Sequence, residues 1–430
     1  MTRQQAAAEE EAHGRDGQRI DRALLSSIEE GLTADGCALL VGPYEVGKSD
    51  LARQIARRFG GGAHYLNGND EEDRTRLRGD VGLVRSSAGQ LIVIDEIHGF
   101  PDGLDLIRAE LEAARSEARP IGQFLILGSM TIEAQRVAFE RLGTRARTYR
   151  LSPICLAELP DRQAVASGDA RTFKPAEIQA TVPIARSNAA IPMQRLWIRG
   201  GFPLSLLAED DAASFTWRTA YLEALCGRGY RHVSPSLSAS TVREILMRVA
   251  VSQGEPFKVD RSRLEQKACL DYLDDLGLIR QLRPWFPSEA KRFEKNPKIY
   301  IRDSGLLHTL LARRTHDELR GDGKVLGHSW EGFCVENLIA AAPYAQAFYY
   351  RSGDEQDEID LVLEFSGSRR LAIEIKSPAA KLGDGFVRAL AVIKPLAAYV
   401  VRPVPESLEK DTHRVTTLSD MIDVVRSVPR

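Results

Sequence analysis

The sequence predicts an α/β protein with a parallel sheet in its N-terminal part and a second α/β region at its C-terminal end. Short apolar runs, ALLVG at 38–42, LIVID at 91–95 and QFLILGS at 123–129, alternate with segments of helical periodicity over residues 20–130, the pattern of parallel strands joined by crossover helices. The first run leads into a glycine-bounded turn and then into the helical LARQIARRF. The last hundred residues return to the same alternation, with a helix near 328–341 and strands at 359–365, 371–376 and 397–402. At 430 residues the chain is too long for one ordinary core, and its length suggests two to four domains.

Composition sets the class. With 43% hydrophobic and 27% charged residues, each domain can bury a core. The formal net charge of −2 supplies no global basic field, so contact with DNA would need a local patch. Cys37, Cys155, Cys226, Cys269 and Cys334 are scattered, with no CxxC pair. This spacing suggests neither a zinc site nor a disulfide framework, and the expected setting is the reducing cytoplasm. Residues 1–18 are polar and Ala-rich without apolar periodicity, which reads as a disordered tail rather than a signal peptide. The best membrane-span candidate, Ala389 to Val401, is short and broken by Lys394 and Pro395, so no membrane partner is expected.

Gly42 to Ser49 reads GPYEVGKS and fits G-x-x-x-x-G-K-[ST] in full. The strand before it and the helix after it give the context this pattern requires. Gly42 and Gly47 let the backbone curl so that its N–H groups point at phosphate oxygens, and the helix adds the positive end of its dipole. The residues expected around a nucleotide are Gly42, Pro43, Tyr44, Glu45, Val46, Gly47, Lys48, Ser49 and Asp50. Lys48 is expected to reach the β- and γ-phosphates, and Ser49 to offer its hydroxyl to Mg²⁺. A second element, LIVIDE at 91–96, ends an apolar strand in two acids. Asp95 is expected to hold the Mg²⁺ through its water shell, and Glu96 to polarise the attacking water. A solvated strand end beside a chance glycine turn is the bland alternative. Both elements in the right order argue instead for ATP and Mg²⁺ as cofactors.

Further segments carry a resemblance: YLNGNDEEDRTRL, LIVIDEIHGFPD, FLILGSM, RLGTRARTYRLSPICLAEL, GGFP at 200–203, RPWFPSEAKRFEKNPKIYIRDSGLLHTLL, and EIDLVLEF with LAIEIKSP. With them the chain resembles the prokaryotic AAA-type P-loop ATPases that carry a C-terminal nuclease-like domain of unknown function, over nearly its whole length after residue 20. The resemblance implies an ATPase engine, a homo-oligomer whose sites are completed across subunits, and a restriction-endonuclease-like C-terminal fold. It places Ser129, at the end of the third strand, beside the γ-phosphate or water; a strand-end cap is the other reading. Arg145 matches the family arginine that faces a phosphate as finger or sensor, with Arg141 and Arg147 as neighbouring candidates. Three positions depart from the family pattern. His98 stands where the family has Gln, Leu142-Gly143-Thr144-Arg145 replaces Leu-Ala-Gly-Arg, and Arg228-Gly229 replaces Arg-Asp.

On this reading the chain divides into a tail (1–18), an AAA domain (19–159), a helical linker region (160–235), a winged-helix-like domain (236–312) and a nuclease-like domain (313–430). In the fourth part, Leu270, Leu273 and Leu276 form one helical stripe, and LIRQLRPW and KIYIRD read as the strand pair of a wing. The stretch between them interleaves Arg280, Arg283, Lys291, Arg292, Lys295 and Lys298 with Trp285, Phe286 and Phe293. Two readings stand: a contact for a nucleic-acid backbone, or an interdomain surface on which Lys and Arg cover aromatic area. In the last part, Asp360 lies in EIDLVLE, and Glu374 and Lys376 in LAIEIKS. Two carboxylates and a lysine at strand ends suit metal-assisted phosphodiester cleavage. The pattern is similar to that of PD-(D/E)XK nucleases, with ID in place of PD, and Glu331 matches the family's helical acid. An active nuclease and an inactive fold used for docking both remain open, and the expected target is DNA or a protein.

Overall fold

Strands β1 (Cys37–Val41), β2 (Ala63–Asn67), β3 (Leu91–Asp95), β4 (Gln123–Gly128) and β5 (Ala146–Arg150) build the N-terminal sheet. The computed structural model describes residues 20–60, 62–79, 89–117, 123–128, 132–143, 146–159, 191–229, 238–258, 264–288, 292, 295–353, 356–377, 382–403 and 408–429. The tail at 1–18, all of 160–190, and the candidates Ser129, Arg145, Lys291 and Phe293 lie outside the described residues.

The sheet is parallel throughout, in the order β2-β3-β4-β1-β5. Its central strands β1, β3 and β4 are apolar almost along their length because helices cover both faces. Ala38 and Leu40 of β1 face one core with Leu51 and Ile55 of the helix Lys48–Arg58. Cys37, Leu39 and Val41 face the other, with Ile107 and Leu111 of the helix Asp102–Ser116. This order separates β1 from β3 by β4, leaving the carboxyl ends of β1 and β3 on one edge of the sheet, where open α/β sheets bind ligands.

The middle is helical, as its periodicity predicts: Met193–Arg199, Pro203–Leu206, Asp211–Ala224, Ala239–Val251 and Leu264–Asp275. Side chains of Asp210, Ser238, Asp303, Thr315, Asp322 and Thr417 accept backbone N–H groups at helix starts, satisfying donors that a helix end leaves open. Val242, Ile245, Leu246, Leu270 and Leu273 join the same buried cluster as Ala38 and Leu40 of β1. The middle therefore shares one buried core with the N-terminal domain.

The expected wing strands form as β6 (Ile279–Pro284) and β7 (Lys298–Ile301), paired antiparallel. They do not stand alone. β6 continues into a parallel pairing with β8 (Gln346–Arg351), with Arg283 opposite Phe348. The hairpin thereby becomes one edge of an eight-stranded mixed sheet, completed by β9 (Glu358–Phe365), β10 (Arg369–Ile375), β11 (Ala397–Val401), β12 (Leu408–Glu409) and β13 (Arg414–Thr416). The helix Gly323–Ala341 packs on this sheet through Phe333, Cys334 and Leu338.

Among the described residues of 280–298, Arg280, Arg292 and Lys298 do not form a solvent-facing basic strip. Arg292 donates to Glu364 at 3.1 Å, and its guanidinium lies 5.7 Å from the centre of the Trp285 ring. Arg280 is paired with Glu336, and Trp285 and Lys298 are buried. Among the described basic residues named above, Arg283 and Lys295 are exposed. Charges this deep are retained by partners rather than by solvent, and the sequence pattern could not distinguish the two.

Candidate functional site

The glycine turn leaves β1 at Val41. A Cβ at Gly42 would run into the Leu151 carbonyl oxygen, and Gly47 adopts φ 97°, so both positions demand glycine. Lys48 opens the following helix. Its ammonium donates to the carbonyl oxygens of Gly42 (3.1 Å) and Pro43 (2.8 Å). Burial pulls its pKa down to about 8, against the opposing influence of Glu96 and Asp95. Ser49 donates its hydroxyl to Asp95 Oδ2 at 2.7 Å. The helix start and the acid tip of β3 therefore meet across β4, as the two sequence elements predict.

Asp95 is half-buried, and its Oδ1 accepts the Glu96 N–H at 2.9 Å. Glu96 takes the left-handed conformation, φ 52°, which is uncommon for a residue with a Cβ. The end of β2 supports this turn. Asn67 lies opposite Asp95 in the ladder, and Gly68 N–H donates to the Asp95 carbonyl oxygen at 2.8 Å. Gly68 packs against Glu96 so closely that a Cβ would strike its carbonyl oxygen. Tyr44 and Glu45 are exposed at the turn; Asp50 is half-buried in the first turn of the helix and accepts from Gln54 at 2.8 Å.

One contributor was invisible in the sequence. Arg22, buried ahead of the first helix, donates to the Val46 carbonyl oxygen (3.2 Å), the Ser152 carbonyl oxygen (2.5 Å) and Glu158 Oε1 (3.0 Å). It ties the glycine turn to the chain that leaves β5. No local pattern marks it, because its partners lie far along the chain. The neighbours of Arg145 are engaged elsewhere: Arg141 bonds Asp105 Oδ2 at 2.9 Å and Arg147 pairs with Asp35 at 2.5 Å.

The Ser49–Asp95 pair is chemically suited to Mg²⁺, since a hydroxyl and a carboxylate already share one point at the mouth of the glycine turn. The C-terminal group differs. The structure brings Glu331, Asp360, Glu374 and Lys376 together, but it adds Lys298, which the sequence reading had assigned to the basic stretch. Lys298 Nζ lies 3.1 Å from Glu331, 2.8 Å from Glu358 and 3.5 Å from Asp360. Tyr300 donates to Glu331 at 2.7 Å, and Lys376 pairs with Glu374 at 2.6 Å. Burial works against the Lys298 charge, but Glu331, Tyr300, Asp360 and Glu358 outweigh it and hold its pKa well above the ordinary lysine value. Burial, followed by Asp360, pushes Glu374 up to about 8. Burial also raises Glu331, even with Lys298 beside it. Among the described residues, no group of three His, Cys, Asp or Glu side chains is arranged to hold a metal ion. No described helix is long and apolar enough to cross a membrane.

Residues 35–160 match the AAA domain family. Residues 192–317 and 326–421 match two domains of unknown function, DUF8612 and DUF4143. Among solved structures, the chain is similar to the Walker-type ATPase PABY2304 of Pyrococcus abyssi, with TM-score 0.42 and 15% identity over 68% of this chain and 96% of that one. It is also similar to the RuvB Holliday junction branch migration motor of Thermotoga maritima, with TM-score 0.29 and 17% identity over 63% and 93%. Among curated proteins, it is 33% identical over 388 residues to the uncharacterized proteins Rv2008c of Mycobacterium tuberculosis and Mb2031c of Mycobacterium bovis, covering 88% of this chain and 79% of each of theirs. The chain thus belongs to the family of these two mycobacterial proteins, and its residues 35–160 are an AAA-type P-loop domain.

Proposed function

We propose that the chain is an ATPase that binds ATP at Gly42–Asp50 and hydrolyses it to ADP and phosphate. The observation that carries this reading is the 2.7 Å bond between Ser49 and Asp95, which joins the glycine turn to the acidic strand end. Mg²⁺ held by Ser49 and Asp95 would offset the charge on the phosphate oxygens. Lys48 exchanges the loop carbonyls for phosphate oxygens, a substitution that trades neutral partners for charged ones. Glu96, next to Asp95 at the end of β3, orients the attacking water and takes its proton. Ser129 senses the γ-phosphate, and Arg145 completes the site of a neighbouring subunit in a homo-oligomer.

Nucleotide state would pass to the middle through the core it shares with the AAA domain, and to the C-terminal part through the cluster that joins Ile154 and Leu156 to Phe333 and Leu338. The partner is a cytoplasmic protein target: the internal pairing of Arg280, Arg292 and Lys298 favours this over DNA. Metal-dependent DNA cleavage, with ATP as its regulator, takes second place; only the proximity of Glu331, Asp360, Glu374 and Lys376 supports it.

Phosphate release and nucleotide binding test the engine together. Glu96→Gln should keep ATP binding while turnover falls by roughly 10²- to 10⁴-fold, the usual weight of a general base. Lys48→Ala should lose both. Undiminished turnover in Lys48→Ala would sink the reading, and a DNA mobility shift at moderate salt would replace the protein target with DNA.

A further inference from the structure

We propose that Lys298 is a resident cation in the C-terminal carboxylate cluster, occupying the space a divalent metal would need. The cluster is then a buried ionic clamp between the β6–β7 hairpin and the rest of the eight-stranded sheet, and not a metal site. This inference does not depend on the ATPase reading.

The geometry of one nitrogen carries it. Lys298 extends from β7 and brings its Nζ within 3.1 Å of Glu331, 2.8 Å of Glu358 and 3.5 Å of Asp360. These carboxylates come from the helix Gly323–Ala341 and from β9. An ammonium offers three donors, and here it meets three acids. Mg²⁺ demands oxygen ligands at about 2.0–2.1 Å in near-octahedral array, so a metal cannot share that centre with a buried ammonium. The other oxygens of Asp360 and Glu374 are also committed. Asp360 Oδ2 accepts the Ile375 N–H at 2.8 Å, Glu374 Oε2 accepts the Asp360 N–H at 3.4 Å, and Glu374 Oε1 faces Lys376 at 2.6 Å. Lys298, Asp360 and Glu374 are each about 95% or more removed from solvent, at 2%, 5% and 5% exposure.

A second set of contacts argues that clamping is the role. Glu336 lies on the same helix as Glu331 and holds the same hairpin, pairing with Arg280 of β6 and with Arg302, just past β7, at 2.7 Å. One helix thus fixes both strands of the hairpin, through two carboxylates on successive turns.

The test is a Mn²⁺ titration of the full-length, nucleotide-free protein, followed by the electron paramagnetic resonance of free Mn²⁺. Wild type and Asp360→Asn should bind Mn²⁺ equally weakly. A wild-type site with Kd under about 1 mM that disappears in Asp360→Asn would overturn the proposal. Lys298→Met, which leaves the acids without their ammonium, should melt lower than wild type and regain stability with Mn²⁺, binding it at least about tenfold more tightly than wild type. Should that variant fail to fold, the comparison of wild type with Asp360→Asn decides alone. A folded Lys298→Met with the wild-type response to Mn²⁺ would refute the substitution of ammonium for metal.

Discussion

The two acid-and-lysine groups of this chain use nearly the same residues and come out opposite. At the N-terminal site, Lys48 rests on the carbonyl oxygens of Gly42 and Pro43, with Asp95 and Glu96 half-buried nearby. At the C-terminal cluster, Lys298 sits within 3.5 Å of three carboxylates, of which Asp360 is buried and Glu331 and Glu358 are partly buried. The lysine pKa values diverge accordingly: burial lowers Lys48 to about 8, while the acids around Lys298 overcome burial and raise it. Partners decide the difference. A lysine on neutral carbonyls can exchange them for an anionic ligand at little cost, whereas a lysine on buried carboxylates cannot leave without stranding their charge.

Removing each lysine should separate the two roles cleanly. Lys298→Ala should destabilise the fold by about 3–5 kcal/mol, the usual consequence of breaking a buried ion pair by deleting one partner. Lys48→Ala should lower the melting temperature less than Lys298→Ala does, because the Gly42 and Pro43 carbonyl groups it leaves behind are neutral. Calorimetry or denaturant melts on the two variants check this. A Lys48→Ala protein that melts as low as Lys298→Ala would erase the contrast.

The pH dependence of stability sharpens the same comparison within the C-terminal region. Burial acts to raise Glu336, but Arg280 and Arg302 hold it down to about 2, against an ordinary value of 4.5. A depressed carboxyl contributes stability that is present above pH 4.5 and is lost as pH falls toward 2. Glu374 runs the other way. Raised to about 8 by burial and by Asp360, it keeps a proton in the folded state that the unfolded chain releases near pH 4.5. Stability should therefore fall as pH rises from about 4.5 to 8. Denaturant midpoints across pH 3–8 should show Glu336→Gln flattening the acid side and Glu374→Gln flattening the neutral side. Equal profiles for the two variants would contradict the assignment.

The N-terminal site was legible in the sequence because phosphate chemistry constrains consecutive residues. Gly42, Gly47, Lys48 and Ser49 must lie on one turn, and Asp95 and Glu96 must end one strand, so short patterns sufficed to find them. Gly68 was quoted within a family segment, but its part under Glu96 is set by the pairing of β2 with β3, which no local pattern reveals. Arg22 and Lys298 were not legible at all. Arg22 meets Glu158 across 136 positions and Lys298 meets Asp360 across 62, and a single charged residue carries no signature of where the fold takes it. Lys298 even misled: its basic and aromatic neighbours suggested an outward face, yet the continuation of β6 into β8 turned the hairpin into a sheet edge and the lysine inward.

The smallest expected effects lie at Arg141 and Arg147. Arg147 pairs with Asp35 while its own side chain stays 57% exposed, and Arg141 pairs with Asp105 at 33% and 48% exposure. Water screens pairs of this kind, and each contributes roughly 0.2–1 kcal/mol. Arg141→Ala and Arg147→Ala should therefore shift the melting temperature only slightly. Both are also bound within their own subunit, so neither substitution should slow ATP turnover more than about twofold, since only transition-state contacts govern the rate. Arg145→Ala should cut turnover strongly without touching either pair, and mixing it with Glu96→Gln protein should restore part of the lost activity if sites form between subunits. Turnover that collapses in Arg147→Ala instead would move the phosphate-facing role from Arg145 to Arg147.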